Sequence, residues 1–158
     1  MMKVLLVIRW PVGGIRTFIN YVYANFNSDE IELYFVLPNL PEVKMLQDKM
    51  TSLRCTWHIT QTDRPSPLEI STLTIKAALK HNVDIIHAHG FTSAIAVGWF
   101  LPFLSQPSVF TSHDILQANQ FSGFKGKCKK WLMTVLLNRF SKIHSVSHDR
   151  MMNQCYHC

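Results

Sequence analysis

Charge is scarce in this chain of 158 residues: Asp, Glu, Lys and Arg make up 16% of it, against 47% hydrophobic residues. A chain with that balance buries a core, which excludes an intrinsically disordered protein. Acid is scarcer still, with Asp+Glu at 10 against Lys+Arg at 16, for a formal charge of +6. That excess favours anionic partners such as phosphates, nucleic acid or an acidic membrane surface, without choosing among them. Cysteine is sparse too. Cys55, Cys128, Cys155 and Cys158 are too few for a disulfide scaffold at this length. Long hydrophobic runs are missing. Val4 to Ile8 is too short for the apolar core of a signal peptide and reads as a buried strand. Ser93 to Leu104 is about half the roughly 20 residues of a membrane span, and Pro102 interrupts it. The expectation is one soluble, intracellular domain in a reducing, cytoplasmic setting.

What is present is alternation, without internal repeats. Apolar runs read as strands at Lys3–Ile8, Ile31–Leu37, Arg54–Thr60, Asp84–His89, Ser108–His113 and Lys142–Ser147. Helix-period segments lie between them. Ile15, Phe18, Ile19, Val22 and Phe26 recur at helical spacing. Asn39 with Pro41 and Glu42, and Ser66 with Pro67 and Glu69, look like capped helix starts. The second helix should run to about His81. Further helices are expected over Thr92–Leu104 and from about Gly123 to Phe140. Strands alternating with crossover helices form parallel βαβ units, so the fold class is α/β: a Rossmann-like, doubly wound parallel sheet of about six strands. Ligands of such sheets bind beyond the carboxyl ends of the strands. That rule selects the loops Trp10–Arg16, His89–Thr92 and His113–Gln117, and the chain from Ser147 onward.

Gly13 and Gly14 sit between the first strand and the first helix, where glycine allows close backbone approach and free N–H groups attract an anion. Arg16 in that first turn is unfavourable against the helix dipole unless an anion is near. A tight turn with an exposed arginine explains the same residues equally well. The spacing is not that of a dinucleotide fingerprint. His87 and His89 lie two apart on a strand and share a face. His89 would sit at the carboxyl end; His87, deeper, reads first as a hydrogen-bonded core residue. His113 ends the next strand, with Asp114 placed to orient it or to cap the following turn.

Lys125, Lys127, Lys129, Lys130, Arg139 and Lys142 crowd one segment, and no acidic residue lies between Asp114 and Asp149. Trp131, Leu132, Val135, Leu136 and Phe140 give it an apolar face. Such a helix suits an anionic bilayer, or is a solvated cationic face over a core-packing helix. Cys155 and Cys158 form a lone pair at the terminus. Zinc needs four ligands, so a frayed tail is the reading.

The ordered set of Val12-Gly13-Gly14-Ile15-Arg16, Asp84-Ile85-Ile86-His87-Ala88-His89-Gly90, Val109-Phe110-Thr111-Ser112-His113-Asp114 and Ile143-His144-Ser145-Val146-Ser147 resembles the N-terminal half of family-four retaining glycosyltransferases, which have the GT-B fold. The resemblance covers essentially the whole chain. It implies an acceptor-side domain over residues 1–150, a tail over 151–158, and a donor-binding domain with paired glutamates that this chain does not contain. It implies Gly13, Gly14 and Arg16 at the donor phosphate and sugar, His113 as the active-site histidine, and His89 and Asp114 in the acceptor pocket. It implies a nucleotide-sugar co-substrate whose leaving phosphate assists the acceptor hydroxyl on the same face. The protein then positions groups and stabilises charge. Expected partners are a glycan or lipid-linked acceptor for polysaccharide biosynthesis, a separate donor domain or subunit, and an anionic inner-membrane surface reached through Lys125, Lys127, Lys129 and Lys130. Nucleic acid, a metal and a separate cofactor are not expected, and the chain alone should be inactive. Two other readings compete: a metal-dependent hydrolase using His87, His89 and His113 with Asp114 in support, and a non-catalytic basic binding module.

Overall fold

The computed structural model describes residues 1–23, 25–148 and 151–153. Six parallel strands form one sheet: β1 (Met2–Ile8), β2 (Ile31–Leu37), β3 (Arg54–Ile59), β4 (Ile85–His89), β5 (Ser108–Ser112) and β6 (Lys142–Ser145). Their order is β3-β2-β1-β4-β5-β6. The chain builds outward from β1 in one direction and, after crossing back, from β4 in the other. This is the doubly wound, Rossmann-like arrangement the alternation implies.

Side chains leave successive strand residues on opposite faces. Val4, Leu6 and Ile8 therefore join Leu33, Phe35 and Leu37 in a core beneath α1 (Gly13–Tyr23) and α2 (Glu42–Gln47). Leu5, Val7, Ile86, Ala88 and Phe110 point the other way. They pack under α3 (Pro67–His81), α4 (Phe91–Gly98) and α5 (Gly123–Leu137).

Helix ends depart from expectation where local bonds compete. At α3 the Ser66 hydroxyl accepts from the Glu69 amide at 3.1 Å, as expected of a cap. The Glu69 carboxylate accepts instead from the Gln61 amide at 2.9 Å. The expected cap at Asn39 does not form. The Asn39 amide bonds the Thr62 carbonyl at 3.0 Å, and α2 begins at Glu42 with no side-chain cap. The helix expected over Thr92–Leu104 ends at Gly98 and resumes as a 3-10 turn over Leu101–Phe103. Pro102 has no N–H for the carbonyl four residues back. That carbonyl belongs to Gly98, and the Arg139 guanidinium occupies it at 3.1 Å. The first helix starts two residues earlier than expected and is described to Tyr23.

The apolar face of α5 is corrected as well. Met133, Leu136 and Leu137 enter the core, whereas Trp131 is 67% exposed and Phe124 is 82% exposed. Cys55 is half-buried in β3, and burial pushes its thiol up to about 11. Cys128 is exposed on α5. Cys155 and Cys158 lie outside the described residues. No helix among the described residues is long and apolar enough to cross a membrane.

Candidate functional site

The sheet order places the switch point between β1 and β4, and three segments converge at its carboxyl edge. The first is the turn from β1 into α1. Gly13 has φ +54°, a left-handed conformation that glycine adopts at no steric cost. Gly14 has neither a positive φ nor a close neighbour: a methyl built there would meet nothing within 4 Å. Neither backbone nor packing requires glycine at Gly14, so the side of the turn facing away from the core is left open. The second segment is the turn from β4 into α4. Gly90 has φ +79° and ψ 154°, a region essentially confined to glycine. The third is the chain after β5. A methyl at Gly90 would lie 3.4 Å from Asp114 Oδ2 and 3.6 Å from Ile15 Cδ1, so all three segments meet there.

β4 and β5 are neighbours, with His89 opposite Thr111 in register. That pairing brings the histidines together. His89 Nδ1 lies 3.1 Å from His113 Nε2. The His87 ring packs against the His89 ring at 4.0 Å between centroids. His87 is bonded at both nitrogens, Nδ1 to the Tyr23 hydroxyl at 2.9 Å and Nε2 to Thr111 Oγ1 at 2.7 Å. Thr111 Oγ1 in turn lies 3.4 Å from His144 Nδ1 on β6. Phe18 of α1 roofs the group, with ring centroids 5.8 Å from His89, 5.1 Å from His113 in an edge-on contact, and 5.8 Å from His144.

Burial decides the charge state of this group. His89 is 1% exposed, and desolvation holds it well below the ordinary histidine range, with repulsion from His87, His113 and His144 adding to it. His87 is lowered to about 4, first by desolvation and then by His144 and His113. Tyr23 is raised by burial, so its hydroxyl stays protonated.

The sequence expectations fare unevenly. His113 stands at the crevice, half-buried, as its strand end implies. His89 is buried, enclosed behind His113 and Phe18. Asp114 does line a cleft, of about 480 Å³, with Thr92, Gln120, Phe121 and Lys129 among its neighbours. The Arg16 guanidinium donates to Met45 Sδ of α2 at 3.0 Å, so it is drawn toward the β2 side rather than the histidines. Lys125, Lys127 and Lys129 are exposed near the start of α5, Lys130 is partly covered, and Lys129 sits 5.7 Å over the Phe121 ring. The metal-hydrolase reading fails on bonding. Both nitrogens of His87 are committed, and no group of three or more His, Cys, Asp or Glu among the described residues could hold a metal.

Four participants were missed by sequence reasoning: Phe18, Tyr23, Thr111 and His144. Thr111 shares strand parity with His113, a signal that was there to be read. Phe18 and Tyr23 look like ordinary core positions of a helix. Only the packing of α1 over the switch point reveals them.

The sheet order and the histidine-lined crevice define a Rossmann-like domain of the GT-B kind. The chain belongs to Glycosyltransferase Family 4, whose family model matches residues 12–150. Among solved structures it is similar to HepE from Anabaena in complex with UDP, at 20% identity and TM-score 0.72, over 98% of this chain and 40% of that one. It is similar to MurG of Acinetobacter baumannii at 12% identity and TM-score 0.61, over 94% of this chain and 42% of that one. A second HepE structure, with UDP and glucose, matches at 20% identity and TM-score 0.64, over 90% and 37%. The chain thus spans about two fifths of the length of these structures. No curated protein matches it.

Proposed function

We propose that this chain is the acceptor-side domain of a retaining glycosyltransferase. It would work with a donor-binding domain to move a hexose from a nucleotide-sugar to a glycan or lipid-linked acceptor. Residues 1–150 form that domain, and activity requires the donor side. The observation that carries the reading is the convergence of the open Gly13–Gly14 turn with His113 and Asp114 at the switch point. UDP bound to HepE, a family-fold neighbour, supports a nucleotide-sugar donor. In the reaction the acceptor oxygen bonds the sugar's anomeric carbon as its bond to the diphosphate breaks, and the acceptor proton passes to the leaving phosphate. The glycine turn offers backbone N–H groups to the diphosphate, and His113 contacts the transferred sugar. Asp114 and the cleft beside it receive the acceptor.

The test is sugar transfer by the chain joined to a donor-side domain. Replacing His113→Ala should lower kcat by at least about 100-fold, on the scale of losing one positioned polar group. Circular dichroism should be unchanged. Unchanged turnover would remove His113 from the reaction.

We further propose that the enzyme works at the inner face of a membrane. Exposed Phe124 and Trp131 share the outer side of α5 with Lys127, in a segment without acids. Reversing the charges of Lys127, Lys129 and Lys130 should weaken binding to anionic vesicles, and salt should do the same. Binding insensitive to both would sink the membrane reading.

A further inference from the structure

Two imidazole nitrogens 3.1 Å apart share one proton, and the burial around them bears on which ring supplies it. His89 Nε2 is fully buried and finds no hydrogen-bond partner among the described residues. If His113 Nε2 donated to His89 Nδ1, the proton of neutral His89 would have to sit on Nε2. That would leave a strong N–H donor buried and unmet. If His89 Nδ1–H donates instead, the unmet atom is a bare lone pair. Orphaned buried N–H groups are the rarer and costlier defect. His89 has no third option, because a cation at a 1% exposed site against the His87 ring is excluded by desolvation.

We propose that His89 is a positioning residue for His113: by donating from Nδ1 it fixes His113 as the neutral Nδ1–H tautomer. The neighbours agree. Around His89 the described neighbours are the Phe18 ring and the His87, His113 and His144 rings, none of which would stabilise a cation there. Asp114, the next residue in the chain, directs Oδ2 toward Gly90. Protonating His113 at Nε2 would set two N–H groups face to face, or force His89 into the tautomer with a buried orphan. His113 is therefore an uncharged ring with its proton on Nδ1, and its Nε2 is unavailable as a base. The catalytic consequence rests on the role proposed for His113 above; the tautomer itself does not.

The experiment is a long-range ¹⁵N–¹H spectrum of the histidine rings of the full chain at about pH 7.5, above the ordinary histidine range. His113 is assigned by loss of its signals in His113→Asn. The expected result is a bare Nε2 and a protonated Nδ1. A protonated Nε2, in either the neutral or the cationic ring, overturns the proposal even if transfer depends on His113. Two variants sharpen it. His89→Asn keeps a donor near the Nδ1 position and should keep His113 in its Nδ1–H form. His89→Leu should release it toward the Nε2–H form that free imidazole side chains prefer. If His89→Leu fails to fold, the wild-type spectrum still decides. Loss of transfer in His113→Ala with the wrong tautomer would fail this inference alone, and the right tautomer with full transfer would fail the functional reading alone.

Discussion

The α1 face of the sheet is two surfaces under one helix. Over β1, β2 and β3 it is apolar: Val4, Leu6, Ile8, Leu33, Phe35 and Leu37 close against Ile15 and Ile19, and Phe35 stacks on Trp57 at 4.2 Å. Over β4, β5 and β6 the same face carries His87, His89, Thr111, His113 and His144, met by Phe18 and Tyr23 of the same helix. The first surface is held by area and close packing, which any well-fitting aliphatic set supplies. The second is held by hydrogen bonds that need particular protonation states, and it includes a buried nitrogen with no hydrogen-bond partner among the described residues. The fold does not need the second arrangement. Its position on the far side of the switch point, beside an open glycine turn, supports the proposal that this surface serves a ligand.

The largest effect should come from breaking the apolar half. Leu33 is fully buried on β2, between Val4 and Cys55 in register. Leu33→Ala should cost about 2–5 kcal/mol, read from urea unfolding. The loss should be equal at pH 7 and pH 5, because no histidine stands opposite it and the Cys55 thiol, pushed up to about 11, is neutral at both. A loss that grew on acidification would mean the two halves are coupled and the contrast is wrong.

The histidine half should show the opposite signature. His87 titrates in the folded protein near 4, against roughly 6.5 when unfolded. Between those values the unfolded chain binds the proton and the folded one does not. Stability is therefore complete above about pH 6.5 and falls as pH drops toward 4, by up to about 3 kcal/mol from this residue. His87→Gln should flatten that slope by the corresponding amount while lowering stability at pH 7 through its lost bonds. Identical slopes in the two proteins would show that His87 is not held neutral.

The two halves were unequally legible. The aliphatic strands announce themselves as continuous apolar runs, and a parallel sheet follows once βαβ crossovers are accepted, though the order of its strands does not. His87 and His89 were visible as a same-face pair and His113 as a strand end. The contact between His89 and His113 was not, since it depends on β4 and β5 being adjacent. The full burial of His89 was not visible either, since it depends on Phe18, a residue helical periodicity assigns to generic core. For Arg16 the sequence suggests a nearby anion from its place at a helix start; it gives no sign of the Met45 thioether, one helix away, that its guanidinium bonds. The basic helix was legible as charge with an apolar face, and Leu136 and Phe140 do turn inward, but Trp131 was counted with them from its type rather than its angle.

The smallest effect comes from a site in neither half, and it serves to calibrate the others. α3 carries the chain from β3, at one edge of the sheet, back to β4 beside β1, so it connects the two surfaces without belonging to either. Its Ser66 cap was legible in the sequence and forms as expected, but Glu69 bonds outside the box, to Gln61. The cap is then a single hydroxyl-to-amide bond, and Ser66→Ala should cost about 1 kcal/mol. The cost should not change with pH, and the His87-dependent slope should survive in this background. If the slope diminished when a distant cap was cut, acid would be loosening the connection between the halves, and the histidine surface could no longer be treated as the separate titrating unit its hydrogen bonds describe.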